Sequence, residues 1–210
     1  MLKLHHLENS RSQRILWLLE ELGLDYELVT YARDPKTTFA PAALKAVHPL
    51  GKSPMLEDHG RILIESGAII DYVIRRHGGG RLQPDPSTPA YDEYVQWLHY
   101  AEGSAMPPFI LGIYLGRLGE AAAPIRPRVS SEQANHLGYV ASALTGHDYL
   151  VGDTFSAADI QMGIVLEAAA RSTKALEAFP VLQAYLERLQ ARPAYQRALQ
   201  RAGPVASSHP

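Results

Sequence analysis

The chain has 210 residues, with 20 Lys and Arg against 22 Asp and Glu and a formal net charge of -2, so nucleic acid and anionic membrane are excluded as expected partners. It contains no cysteine, which removes disulfides, thiol nucleophiles and zinc–thiolate sites. Any thiol chemistry must therefore use a thiol from outside.

Residues 3–7 read as a strand, followed by a helix on which Ile15, Leu18, Leu19 and Leu22 recur on one face. Gly23 closes that helix as a left-handed cap. YELVTY at 26–31 reads as a second strand and 41–46 as a short helix. Residues 55–56 and 61–64 read as two further strands around a turn at Asp58, His59 and Gly60. A helix over 66–76 completes the order βαβ, short helix, ββ, helix, which implies a small α/β domain over 1–77.

Residues 78–89 are rich in glycine and proline and end periodicity of either kind, as an interdomain linker does. Helical signals follow at 90–118, 131–144, 156–172, 181–190 and 193–201, with loops at 119–128 and 145–155, so 90–201 is expected to be an all-helical domain. Ser156 as a cap, Asp159 three residues on and the apolar pair Phe155 and Ile160 write a helix start, which is folding information. The small, polar tail 202–210 is expected to be flexible. No apolar run approaches the ~20 residues that span a bilayer, and residues 1–6 lack a signal-peptide core, so a cytoplasmic location is expected. The nine histidines show no metal spacing, and His5 and His6 on one strand point to opposite faces, so no metal site is expected.

Three segments carry a resemblance: LHHLENSRSQR at 4–14, HPLGKSP at 48–54 and ESGAI at 65–69. In this order, with the linker, the helical second half and GDTFSAAD at 152–159, the chain resembles the cytosolic glutathione transferases, in particular the bacterial-type, theta-like serine branch. The resemblance covers nearly the whole chain. It implies a thioredoxin-like N-terminal domain followed by an all-helical C-terminal domain, a homodimer, and glutathione as co-substrate.

It also implies roles for residues. Pro54 would follow a cis bond, and Ser53 would meet the backbone of glutathione's cysteine through its own main chain, as a strand edge captures a peptide. Lys52 would meet the glycine carboxylate. Ser66, at a helix start where free N–H groups favour an anion, would bind the γ-glutamyl carboxylate, with Glu65 near its ammonium; simple N-capping by Ser66 is the structural alternative. Ser10 falls where the catalytic serine of the theta-like branch stands and would donate to the thiolate. Ser10 and Gln13 also spell a capping box, and Ser12, Asn9 or Arg11 compete for the thiolate. The second substrate is expected to be a hydrophobic electrophile. Met106 and Phe109 are assigned to its pocket, because Pro107 and Pro108 must interrupt the helix there.

The activity expected is glutathione conjugation (EC 2.5.1.18 type). The alternatives are peroxide or disulfide reduction on the same site, and an interaction module that has kept the fold without the chemistry.

Overall fold

The computed structural model describes residues 1–172 and 174–203. Most of the tail expected to be flexible, from 204 onward, lies outside them. No described helix is long and apolar enough to cross a membrane. The chain divides into two compact units, Met1–Arg81 with the segment from Ala191 onward, and Leu82–Gln190.

The first unit is built on a four-stranded mixed sheet, ordered β2-β1-β3-β4. Its elements are β1 (Leu2–Leu7), α1 (Ser12–Leu22), β2 (Tyr26–Tyr31), α2 (Ala43–Val47), β3 (Met55–Asp58), β4 (Arg61–Leu63) and α3 (Ser66–Arg76). β1 lies parallel to β2, with Leu4 opposite Leu28, and antiparallel to β3, with Leu4 opposite Leu56. It is buried on both faces, as a strand covered by helices must be: Leu2, Leu4, His5, His6 and Leu7 are all interior. The β3–β4 turn places His59 (φ 47) and Gly60 (φ 74) in the left-handed region, the conformation a two-residue hairpin needs. Gly23 caps α1 with φ 62 and ψ 36.

The last helix, α9 (Pro193–Ala202), groups with this unit rather than with the helices before it. Its buried Ala194, Tyr195 and Ala198 make one face. Tyr195 meets Trp17 of α1 edge-on, with ring centroids 5.1 Å apart. Arg192 grips both carboxylate oxygens of Glu21 (2.6 and 3.0 Å), while Arg197 and Arg201 reach Glu20 at 3.0 and 2.9 Å. The Tyr26 hydroxyl also donates to Glu20 at 2.6 Å. Burial works against the Glu20 charge, but these donors from Tyr26, Arg201 and Arg197 outweigh it and hold the carboxyl below its usual range. Periodicity announces that 193–201 has an apolar face; it does not say which unit that face will meet.

The second unit is helical: α4 (Pro89–Tyr100), a π-turn (Ala101–Ala105), α5 (Met106–Arg117), α6 (Arg126–Ala143), α7 (Ala157–Ser172) and α8 (Pro180–Gln190), with short 3₁₀ turns at Gly119–Ala122 and Ala175–Ala178. The expected helix 90–118 is therefore divided. Pro107 and Pro108 have no N–H to give the carbonyls of Gly103 and Ser104, and the turn before them widens to π geometry. α7 is the central helix and packs on α4, α5 and α8. α5 and α6 approach closely at Gly112, where a Cβ would lie 2.8 Å from Gln133 Nε2; that amide donates to the Pro108 carbonyl at 3.1 Å.

Asp159 anchors the start of α7. Wholly buried, it accepts from the N–H and hydroxyl of Ser156 (2.7 and 3.0 Å), the Leu150 N–H (3.0 Å) and the Tyr185 hydroxyl (2.6 Å). Burial nonetheless pushes its carboxyl upward, against the pull of those donors.

Asp159→Ala, which strands these buried donors, is expected to cost about 3–4 kcal/mol in urea unfolding. Glu20→Gln is expected to cost about 1 kcal/mol at pH 7. Because the Glu20 carboxyl titrates lower when folded than when unfolded, its contribution is full above pH 4.5 and disappears as pH falls through the folded value. Unfolding midpoints of wild type and Glu20→Gln should therefore converge in acid.

Candidate active site

The first unit places Ser53 against β1 and Ser10 in the loop after it, with Glu65 and Ser66 at the start of α3. The Ser53–Pro54 bond is cis. β1 and β3 stay in register through His5 opposite Met55, but the next residue of that side of the ladder is Pro54, which has no N–H to give. The Ser53 hydroxyl makes the connection instead. It donates to the His5 carbonyl at 2.8 Å and accepts the Leu7 N–H at 3.2 Å. With that oxygen committed to β1, a ligand would meet Ser53 through its main chain. Lys52 beside it is exposed.

The loop after β1 is held by Arg33. Its main-chain N–H donates to Glu8 Oε1 at 2.7 Å, and its guanidinium donates to the carbonyls of Glu8, Asn9 and Thr38, each at 3.0 Å. Asn9 turns the chain with φ 50, a conformation asparagine adopts readily. Ser10 follows, half-buried, its Oγ accepting the Ser12 N–H at 3.2 Å. The capping box read from Ser10 and Gln13 does not form: the N-cap of α1 is Arg11, with no side-chain capping bond. Ser10 Oγ is also 2.8 Å from Ser12 Oγ, which is 2.8 Å from His6 Nδ1 and 3.3 Å from the Leu7 carbonyl. Ser12 is fully buried, so of the two hydroxyls Ser10 is the one with access to the surface. Burial lowers the basicity of His6, with Glu8 pulling the other way, so the ring is neutral at pH 7.

Leu7 joins the two halves of this arrangement, its N–H donating to Ser53 Oγ and its carbonyl accepting from the Ser12 hydroxyl at 3.3 Å. Glu65 and Ser66 stand apart at the start of α3, one at the exposed N-cap and one buried. Glu65 holds φ 69 and ψ 117, a costly conformation for a residue with a side chain, and no side chain caps the helix. The first N–H groups of α3 are thus available to an anion.

Met106 and Phe109, expected in the pocket of the second substrate, lie on α5. They are 3% and 0% exposed, core residues of α5, which packs on α6 and α7. Large apolar side chains gain most where their whole area leaves water, and the prolines beside them take the exposed position. A cavity of about 580 Å³ on the same helix is lined by Pro107, Pro108 and Leu111 with Val129, Glu132 and His136, not by the expected pair.

Comparison with known proteins decides the family. Residues 1–75 match the glutathione S-transferase N-terminal domain and 90–193 the C-terminal domain. The chain belongs to the glutathione S-transferase family. Glutathione S-transferase 3 of Schizosaccharomyces pombe is 34% identical over 92% of this chain and 85% of its own. Glutathione S-transferase 1 of Saccharomyces cerevisiae is 31% identical over 99% of this chain and 98% of its own. A crystal structure of a glutathione S-transferase from Actinobacillus pleuropneumoniae superposes with a TM-score of 0.87 at 35% identity, covering 96% and 93% of the two chains. Among the described residues of this family member, no group of three or more His, Asp or Glu could hold a metal ion.

The supporting residues His6, Ser12 and Arg33 escaped the sequence reading. Ser12 stands there as a competitor of Ser10 and His6 as half of an alternating pair, neither in its supporting place. Arg33 lies 25 residues from Glu8, and no local pattern signals that bond.

Proposed function

We propose that the protein binds glutathione on the first unit, stabilises its thiolate with the Ser10 hydroxyl, and conjugates glutathione through that sulfur to a hydrophobic electrophile. The observation that carries this reading is the Ser53–Pro54 junction bonded to β1 beside the loop that ends in Ser10. The main chain of Ser53 would pair with the peptide. The open start of α3 at Ser66 suits the γ-glutamyl carboxylate, and Glu65 its ammonium. The exposed Lys52 suits the glycine carboxylate.

The energies are sufficient. A free thiol with a pKa near 8.5 is only about 3% thiolate at pH 7. Lowering that pKa to about 6.5 takes ~2.7 kcal/mol. One hydrogen bond to a charged group supplies about 1.5–3 kcal/mol. The start of α1 beside it adds roughly 0.3–1 kcal/mol.

One relative favours a second reading. The disulfide-bond oxidoreductase YfcG of Escherichia coli is 26% identical over 96% of both chains. The same thiolate attacking a disulfide sulfur would start that chemistry without a cysteine in the chain. We also infer a cytoplasmic homodimer. Exposed Leu111, Ile113, Tyr114 and Leu118 on and after α5 offer apolar surface for a second copy to cover.

Ser10→Ala is expected to lower the conjugation rate with an aromatic halide by roughly ten- to a hundredfold while glutathione still binds. An unchanged rate would remove Ser10 from the mechanism. Parallel assays with cumene hydroperoxide and a glutathione mixed disulfide rank the reductive activities against transfer.

A further inference from the structure

The interior of β1 carries a polar side chain that the binding reading leaves unused. His6 is 2% exposed, and its Nδ1 lies 2.8 Å from Ser12 Oγ, which lies 2.8 Å from Ser10 Oγ. Ser12 is 0% exposed, so the chain of contacts leads from inside the sheet to the one half-buried hydroxyl at its end.

Counting protons shows what such a chain can do. A hydroxyl has one proton and two lone pairs, and a neutral imidazole donates from one nitrogen and accepts at the other. Ser10 Oγ already accepts the Ser12 N–H at 3.2 Å. If His6 Nδ1 is bare, Ser12 donates to it, and Ser12 Oγ is open to accept the Ser10 proton, which then points inward. If Nδ1 carries the proton, His6 donates to Ser12 Oγ, and the Ser12 proton has two acceptors, the Leu7 carbonyl at 3.3 Å and Ser10 Oγ at 2.8 Å; along the shorter contact Ser12 donates to Ser10 Oγ. Both Ser10 lone pairs are then filled, and the Ser10 proton must point outward. Donors in series also polarise one another, which makes the last O–H a stronger donor.

We propose that His6 and Ser12 are positioning residues for Ser10: His6, donating from Nδ1 through the Ser12 hydroxyl, turns the Ser10 proton outward toward a bound thiolate and strengthens it as a donor. The inference rests on the assignment of Ser10 to the thiolate. Burial keeps the ring neutral, so the relay works without placing a charge inside the sheet.

The test is the pKa of the thiol of glutathione bound to the full-length protein, followed by thiolate absorbance as pH is varied, with glutathione affinity measured alongside. Ser12→Ala removes a single oxygen and should raise that pKa by about half a unit, with affinity changed less than about twofold. His6→Leu should raise it to a similar extent. His6→Asn, whose carboxamide can place an N–H donor where Nδ1 stands, should restore most of the difference. Because His6 reaches Ser10 only through Ser12 in this account, adding His6→Leu to Ser12→Ala should change nothing further.

A wild-type thiol pKa in Ser12→Ala, with a raised one in Ser10→Ala, would overturn the relay and leave Ser10 in its role. A further rise in the double variant would also overturn it. An unchanged pKa in Ser10→Ala would overturn the assignment of Ser10, and the relay with it. Ser12→Ala keeps the question answerable should His6→Leu fail to fold.

Discussion

Pro54 has no N–H to give its neighbour strand, and the arrangement of the candidate site follows from how that missing donor is replaced. β1 is buried on both faces, so its main-chain groups must find partners inside the protein. The Ser53 hydroxyl serves two of them, the His5 carbonyl and the Leu7 N–H. That leaves the Ser53 main chain as the part with which a peptide could pair. The end of β1 is also where the Arg33-bound loop begins, so the Ser53 main chain and the Ser10 hydroxyl share one strand as their reference. A small displacement of β1 would move both.

The local elements of the first unit were legible because their signals are local. Residues 26–31 alternate as a strand, Gly23 takes the left-handed cap, and the helix over 66–76 has the bounds expected of it. The Ser156–Asp159 helix start forms, with Ser156 donating from its N–H and hydroxyl to the Asp159 carboxylate, which also gathers Leu150 and Tyr185. Elsewhere the determining partner lies far along the chain. Glu20 and Glu21 are met by arginines more than 170 residues away, so nothing near 193–201 tells that this helix joins the first unit. Met106 and Phe109 sit beside a helix break that the prolines signal. The prolines do disturb the helix, as a π-turn, but the large side chains beside them fill the core. His6 was legible as half of an alternating pair; that its ring meets a serine six residues on depends on how α1 folds back over β1.

Binding and chemistry separate cleanly in this arrangement. In the proposed reading Lys52, Ser53, Glu65 and Ser66 offer charge, main-chain polarity and a helix start, which suit a zwitterionic peptide without altering its sulfur. Ser10 is the hydroxyl proposed to act on the sulfur, and behind it lie Ser12 and His6, both buried. The family assignment narrows the chemistry to what a glutathione thiolate can attack.

The central claim is that glutathione lies along Ser53 and the start of α3. Titration of isotope-labelled protein with glutathione, followed by amide NMR, tests it most directly. The account predicts saturable shifts at the amides of Ser53, Ser66 and Gly67, with smaller ones near Ser10. Saturation with those amides unmoved would contradict it, wherever else on the chain the shifts appeared.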